Sequence, residues 1–227
     1  MTVMTGVMPQ GTFRVKDPVS ALTHFIGFIA AIFATPAMLI HAASDGEDMR
    51  GLVVAAIFMM SMILLYGASS AYHSFDVNEK VNRVLRKIDH MSVFVLIAGS
   101  YTPVCALGIG GTEGTRLMIT AWVIAALGMI FKACWVTCPK WVSSVMYIGM
   151  GWIIIPCIPA FIANASAGAF AWILAGGIFY TVGGVIYALK FPVFGGKYEN
   201  FGVHELFHLF VLAGSICHFI AIYFYIV

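Results

Sequence analysis

The sequence predicts an all-α membrane protein: a seven-transmembrane helix bundle with the N-terminus cytoplasmic and the C-terminus outside. Three observations carry this expectation. Hydrophobic residues make up 61% of the 227 residues, mean hydropathy is +0.96, and Asp, Glu, Lys and Arg together supply only 10%, whereas soluble domains are about a quarter charged. Several uncharged runs reach the roughly 20 residues that cross a bilayer as a helix. Basic residues, finally, concentrate in alternate connections. This composition excludes a soluble globular enzyme, a nucleic-acid binder and a disulfide-stapled secreted domain, so no nucleic-acid partner is expected. The five cysteines, Cys105, Cys134, Cys138, Cys157 and Cys217, are an odd, scattered set and read as small buried hydrophobes.

Residues 1–18 contain Arg14, Lys16 and Asp17 and lack a short apolar region ending in a small-residue cleavage site. They are read as a cytoplasmic segment ahead of one domain, 19–227, whose first span is retained and is not a signal peptide. Apolar runs set against polar or Gly-rich breaks give spans at 19–42, 52–75, 88–109, 116–136, 141–163, 167–189 and 203–227. The stretch 141–189 carries no charge and is too long for one helix, so residues 164–168, with Asn164, Ser166 and Gly168, supply the break between the fifth and sixth spans. Sorted by alternate connections, Arg14, Lys16, Lys80, Arg83, Arg86, Lys87, Lys132, Lys140, Lys190 and Lys197 fall on one side, and Arg50 and Arg116 on the other. The Lys/Arg-rich side is the cytoplasmic one. Gly176-Gly177 and Gly183-Gly184 in the sixth span are read as close helix-packing contacts.

Ionisable side chains within or at the ends of such spans are costly to bury and are therefore the first candidates for function. The second span ends with Ser69 and His73, one turn apart on one face. The third begins with Asp89 and His90. The seventh begins with His204 and His208, whose i, i+4 spacing lets two imidazoles share a metal. The second span runs outside to inside and the third and seventh inside to outside, so all three clusters lie at one depth. His73, His204 and His208 can then offer three neutral nitrogens to a tetrahedral Zn2+, leaving a fourth position for water, as in catalytic zinc sites. Asp89 is the candidate to hold that water, and Ser69 to orient a ligand or donate to an oxyanion. His90 points roughly 100° away from Asp89 along the helix and is assigned a structural role or one supporting the metal ligands from behind. His218 lies too deep for this site and reads as a buried polar contact. His24 is left open between facing the site and not, and His41 is read as solvated. Cys134 and Cys138 are read as packing rather than a metal half-site. The motif His204-Glu205-x-x-His208 also matches the zincin pattern, in which Glu205 would be the general base of a metalloprotease; no acidic ligand follows it, so Asp89 would have to take that place.

Ser69-x3-His73, Asp89, the segment from Ala98 through Thr102 to Pro103, and His204-x3-His208 together resemble the progestin and adipoQ receptor family, specifically its bacterial haemolysin III branch. The resemblance extends from Ala21-Leu-Thr-His24 to the end of the chain. It implies a seven-span, N-inside fold with a zinc held by three histidines near the cytoplasmic face, which fall on His73, His204 and His208. Asp89 matches the acid near the metal water and Ser69 the motif serine. Ser20 departs from the asparagine common in bacterial relatives. Eukaryotic members suggest hydrolysis of lipid amides such as ceramide. The bacterial branch is named for haemolytic activity and is associated with membrane energy and lipid homeostasis. The expectation is therefore a zinc-binding protein of the bacterial cytoplasmic membrane, a metal-dependent hydrolase of lipid amides or esters, with a membrane lipid as substrate or ligand. A non-enzymatic homeostatic or cytolytic protein with a structural zinc is the alternative, and an intramembrane metalloprotease a minor one.

Overall fold

A computed structural model describes residues 14–189 and 201–227, so the expected placement of Lys190, Lys197 and residues 1–13 lies outside the described residues. The helices are α1 Pro18–Ser44, α2 Met49–Ser74, α3 Glu79–Pro103, α4 Gly111–Cys134, α5 Lys140–Gly151, α6 Ile158–Asn164, α7 Ala167–Leu189 and α8 Val203–Tyr225. No strand occurs among the described residues. Seven segments are long and apolar enough to cross a membrane, α5 and α6 together forming one of them.

Two departures from the expected spans have local reasons. Helix α3 begins nine residues before the apolar stretch at 88, because Asn78 caps it by accepting from Val81 N at 3.0 Å, and Glu79 in the first turn suits the helix dipole. The turn bearing Lys80, Arg83, Arg86 and Lys87 is therefore helical. The fifth span is also not one continuous helix. Pro156 and Pro159 stand at the starts of the 3-10 turn Ile155–Cys157 and of α6, and each removes a backbone donor that an uninterrupted helix needs. At the opposite end of the bundle α3 runs into a π-helical turn, Val104–Ile109, and reverses through Gly110 and Gly111, with φ of 71° and 56°. Asn164 Nδ2 donates to the Ile109 carbonyl there at 2.8 Å.

The outer surface suits lipid. Large apolar side chains such as Phe33 (75% exposed), Ile40, Ile130 and Phe224 point outwards. Between helices the close approaches fall at small residues, as expected where apolar side chains gain little by leaving lipid. A Cβ on Gly99 would strike the Ser61 side chain of α2, and one on Gly27 would meet Leu212 of α8 and Tyr66 of α2. Gly176 and Gly183 lie against α8, and Gly184 against Ile148 of α5. Gly177 departs from the packing expectation. It faces open space and lines a large internal cavity.

Lys132, counted in the sequence among the loop cations, is 0% exposed. Its Nζ donates to Ser143 Oγ at 2.5 Å and to Cys138 Sγ at 3.1 Å. Cys138 is thereby committed to α4–α5 packing, as expected, whereas Cys134 is exposed and departs from the reading of the cysteines as buried hydrophobes.

The Gly99–Ser61 contact sets how closely α2 and α3 approach. Gly99→Leu is expected to destabilise the bundle by about 1–3 kcal/mol through overpacking, whereas Gly177→Ala should stay within about 0.5 kcal/mol of the wild type. Thermal unfolding of both variants in the same detergent checks this pair.

Candidate metal centre

The C-terminal turn of α2, the middle of α3 and the first turns of α8 meet at the basic end of the bundle. Helix α2 supplies Ser69 and His73 from one face, α3 supplies Asp89, and α8 supplies His204 and His208. His73 and His208 are buried and His204 half-buried. One ring nitrogen from each of these three histidines lies within 4.8 Å of the other two, and Nε2 of His73 is 3.1 Å from Nε2 of His204. Two ligand nitrogens at tetrahedral zinc distances stand about 3.3 Å apart, so this spacing is that of donors sharing one ion.

The strongest reason to read these nitrogens as ligands comes from a residue that the sequence reading left in the N-terminal segment. Asp17 Oδ2 lies 2.8 Å from His73 Nδ1. A ring nitrogen facing a carboxylate carries the proton, which fixes the tautomer and leaves Nε2 bare towards His204. This is the carboxylate–histidine arrangement that accompanies metal-bound imidazoles. The backbone repeats the clasp: Asp17 N donates to the His73 carbonyl at 2.9 Å and Lys16 N to that of Ser74 at 3.4 Å. No local sequence signal marks Asp17, because its partner is 56 residues away.

Around this centre the other candidates sort clearly. Asp89 is buried and lines the large cavity with Ser69, His204 and His208. Its Oδ2 lies 2.9 Å from His90 Nδ1, so His90 does not point away as its helical position suggested. Its side chain folds back against its neighbour, and its carbonyl accepts from Tyr147 of α5 at 2.9 Å. Ser69 Oγ is buried with no hydrogen-bond partner among the described residues. His218 donates to the Ile173 carbonyl at 3.3 Å, the buried contact expected of it. His41 is not simply solvated: it stacks on Tyr223 at 4.2 Å and sits 3.6 Å from Asp45. His24, left open by the sequence, lies flat on His208, with ring centroids 3.6 Å apart and planes inclined by 8°.

Glu205 is held elsewhere. Its Oε1 accepts from Ser20 Oγ at 2.8 Å and its Oε2 from Gly202 N at 2.8 Å, the latter as part of the α8 cap. With both oxygens occupied and the residue absent from the cavity wall, the zincin reading lacks its base. The same contact gives Ser20 a function, which is to fasten α1 to α8.

Comparison with known proteins agrees with this architecture. The model of the Haemolysin-III related family matches residues 13–219. Hemolysin-3 of Bacillus cereus is 35% identical over 224 residues, covering 98% of this chain and 98% of that protein. The chain belongs to the haemolysin III family. The Hemolysin-3 homolog of Bacillus subtilis (strain 168) is likewise 35% identical over 216 residues, 95% of this chain and 97% of that one. More distantly, this haemolysin III protein is 25% identical to the adiponectin receptor protein of Drosophila melanogaster over 228 residues, 92% of the present chain and 51% of the receptor. The chain is an integral membrane protein of this family whose histidine triad can hold a metal ion.

If the Asp17 carboxylate aligns His73, Asp17→Asn should weaken metal binding by about 10–100-fold without unfolding the bundle. Competition with a chromophoric chelator, beside a melting curve of the variant, measures both.

Proposed function

We propose that this protein is a zinc-dependent hydrolase of lipid amides or esters, linked to membrane homeostasis. In this reading it sits in the bacterial cytoplasmic membrane with its basic end and metal centre at the cytoplasmic face. The observation that carries the reading is a single cavity whose wall is apolar over most of its length, from Phe161 and Phe170 to Leu65 and Val211, yet polar at one end, where Asp89, Ser69, His204 and His208 gather. An acyl chain fits the first part and a scissile carbonyl the second. Imidazole donors suit zinc among several divalent ions, and the resemblance to a three-histidine zinc family supports that choice.

In this mechanism His73, His204 and His208 hold the ion, with Asp17 fixing the ring of His73. Bound there, zinc would supply a Lewis acid that polarises a carbonyl and brings the pKa of water towards about 7. Asp89 accepts the proton of the attacking water and returns it to the leaving group, while its neighbour His90 restrains the carboxylate. Ser69, whose hydroxyl has no other partner, donates to the developing oxyanion. The apolar walls position the chain and exclude bulk water, which strengthens these polar contacts.

Two observations favour a second reading, a homeostatic or cytolytic protein with a structural metal. The donors come from only two helices, α2 and α8, so an ion also staples the bundle, and the Bacillus cereus relative is named for haemolysis. The readings separate by mutation. His73→Ala should lose zinc and lipid turnover together. Asp89→Asn should keep most of the zinc and lose turnover by about 10²–10⁴-fold. Release of fatty acid from a panel of amide and ester lipids measures this. Turnover by metal-free protein overturns the hydrolase mechanism, and a folded, zinc-loaded wild type inert on every lipid transfers the case to the structural reading.

A further inference from the structure

His24 carries more than the metal centre alone explains. It is 3% exposed, lines the cavity beside His204 and His208, and both its ring nitrogens are buried without a hydrogen-bond partner among the described residues. Leaving such groups buried and unpaired is costly, so their positions call for an explanation.

A fourth metal ligand is the first explanation to test, and the ring geometry removes it. An imidazole binds a metal along its lone pair, in the ring plane and about 2.1 Å from nitrogen. The rings of His24 and His208 are stacked at 3.6 Å and nearly parallel, at 8°. An ion in the plane of His208 is then displaced from the plane of His24 by a van der Waals separation of about 3 Å or more, beyond the reach of a His24 lone pair. Protein neighbours do not satisfy the ring either. Tyr66 meets it edge-on at 5.1 Å, and the Tyr66 hydroxyl is already donated to Ser215 Oγ at 2.6 Å. The ring's placement is nevertheless fixed. One turn before it Ser20 is tied to Glu205, and one turn after it Gly27 allows α1 to lie directly on Leu212 and Tyr66.

We propose that His24 is a substrate-positioning residue with two separate functions. Its face holds the ring plane of the ligand His208. Its edge hydrogen-bonds the polar end of a lipid in the cavity. A neutral imidazole offers one donor and one acceptor in diverging directions, so the lipid that completes it presents an acceptor to one nitrogen and an N–H or O–H donor to the other. Ser69 Oγ, also buried without a partner on this wall, borders the same polar end, and His24 differs from the other histidines there in having neither ring nitrogen partnered. The inference rests on the reading that the cavity receives a lipid, but not on the lipid being cleaved.

The two functions separate by substitution in the zinc-loaded, full-length protein. His24→Phe keeps a flat ring against His208 and deletes both nitrogens, while His24→Ala deletes the ring as well. Zinc affinity is read by chelator competition, ligand affinity by equilibrium binding of a fluorescent N-acyl amino-alcohol lipid and of its ester analogue without hydroxyl or N–H. His24→Phe should retain zinc affinity and bind the N-acyl probe about 10-fold more weakly, with little change for the ester. His24→Ala should also lose about 10-fold in zinc affinity. Wild-type binding of the N-acyl probe by a folded His24→Phe protein overturns the edge function, and unchanged zinc affinity in His24→Ala overturns the face function. A wild type that binds neither probe overturns the edge function together with the lipid reading of the cavity. A wild type that binds the N-acyl probe without cleaving it removes the hydrolase mechanism and leaves this assignment in place.

Discussion

Hydrocarbon offers no hydrogen bonds, so a polar side chain drawn into a bilayer must find its partner within the protein or on a bound ion. The clasp between Asp17 and His73 meets that requirement for one side chain and, in doing so, orders the others. The carboxylate takes Nδ1 of His73 at 2.8 Å and turns Nε2 towards His204. The neighbouring backbone bonds hold the entry of α1 against the end of α2. Helix α1 is in turn bound to α8 through Ser20 and Glu205. Three helix ends are thus set relative to one another before any ion is considered.

The rest of the bundle protects that arrangement. Small residues at Gly27, Gly99, Gly176 and Gly183 let helices approach within side-chain reach. Large apolar residues turn outwards to lipid, and the interior keeps a cavity that reaches the polar end from deep between the helices. Dispersion across close backbones is the main source of adhesion in such a setting, so the lining of the cavity must be supported from behind. The buried Lys132, tied to Cys138 and Ser143, joins α4 to α5, and Tyr147 joins α5 to α3 at His90, next to Asp89.

Much of this is legible in the sequence because the bilayer imposes strong rules. The seven spans follow from run length and charge, and the depth of Ser69, His73, Asp89, His204 and His208 follows from the alternation of spans, since a helix end bearing a histidine has few places to be. Features that depend on a distant partner are not legible. Asp17 looks like one charge in a polar lead-in, and only its contact with His73 gives it a function. His24 is ambiguous in the sequence because half a turn of rotation of α1 separates lipid from cavity, and that rotation is set by Gly27 and Ser20 against α8. Lys132 looks like a loop cation because a charge near a span end ordinarily reaches water; here Ser143 and Cys138 receive it instead. Glu205 matched a catalytic pattern whose geometry its capping bonds preclude.

In the proposed mechanism three imidazoles, His73, His204 and His208, hold one zinc ion in the native protein. X-ray absorption at the zinc edge of detergent-purified protein, with metal analysis of the same sample, tests it directly. About one zinc per chain is expected, with three imidazole nitrogens and one further light atom at about 2.0–2.1 Å. Folded protein without zinc, or a sulfur ligand at about 2.3 Å, would contradict it.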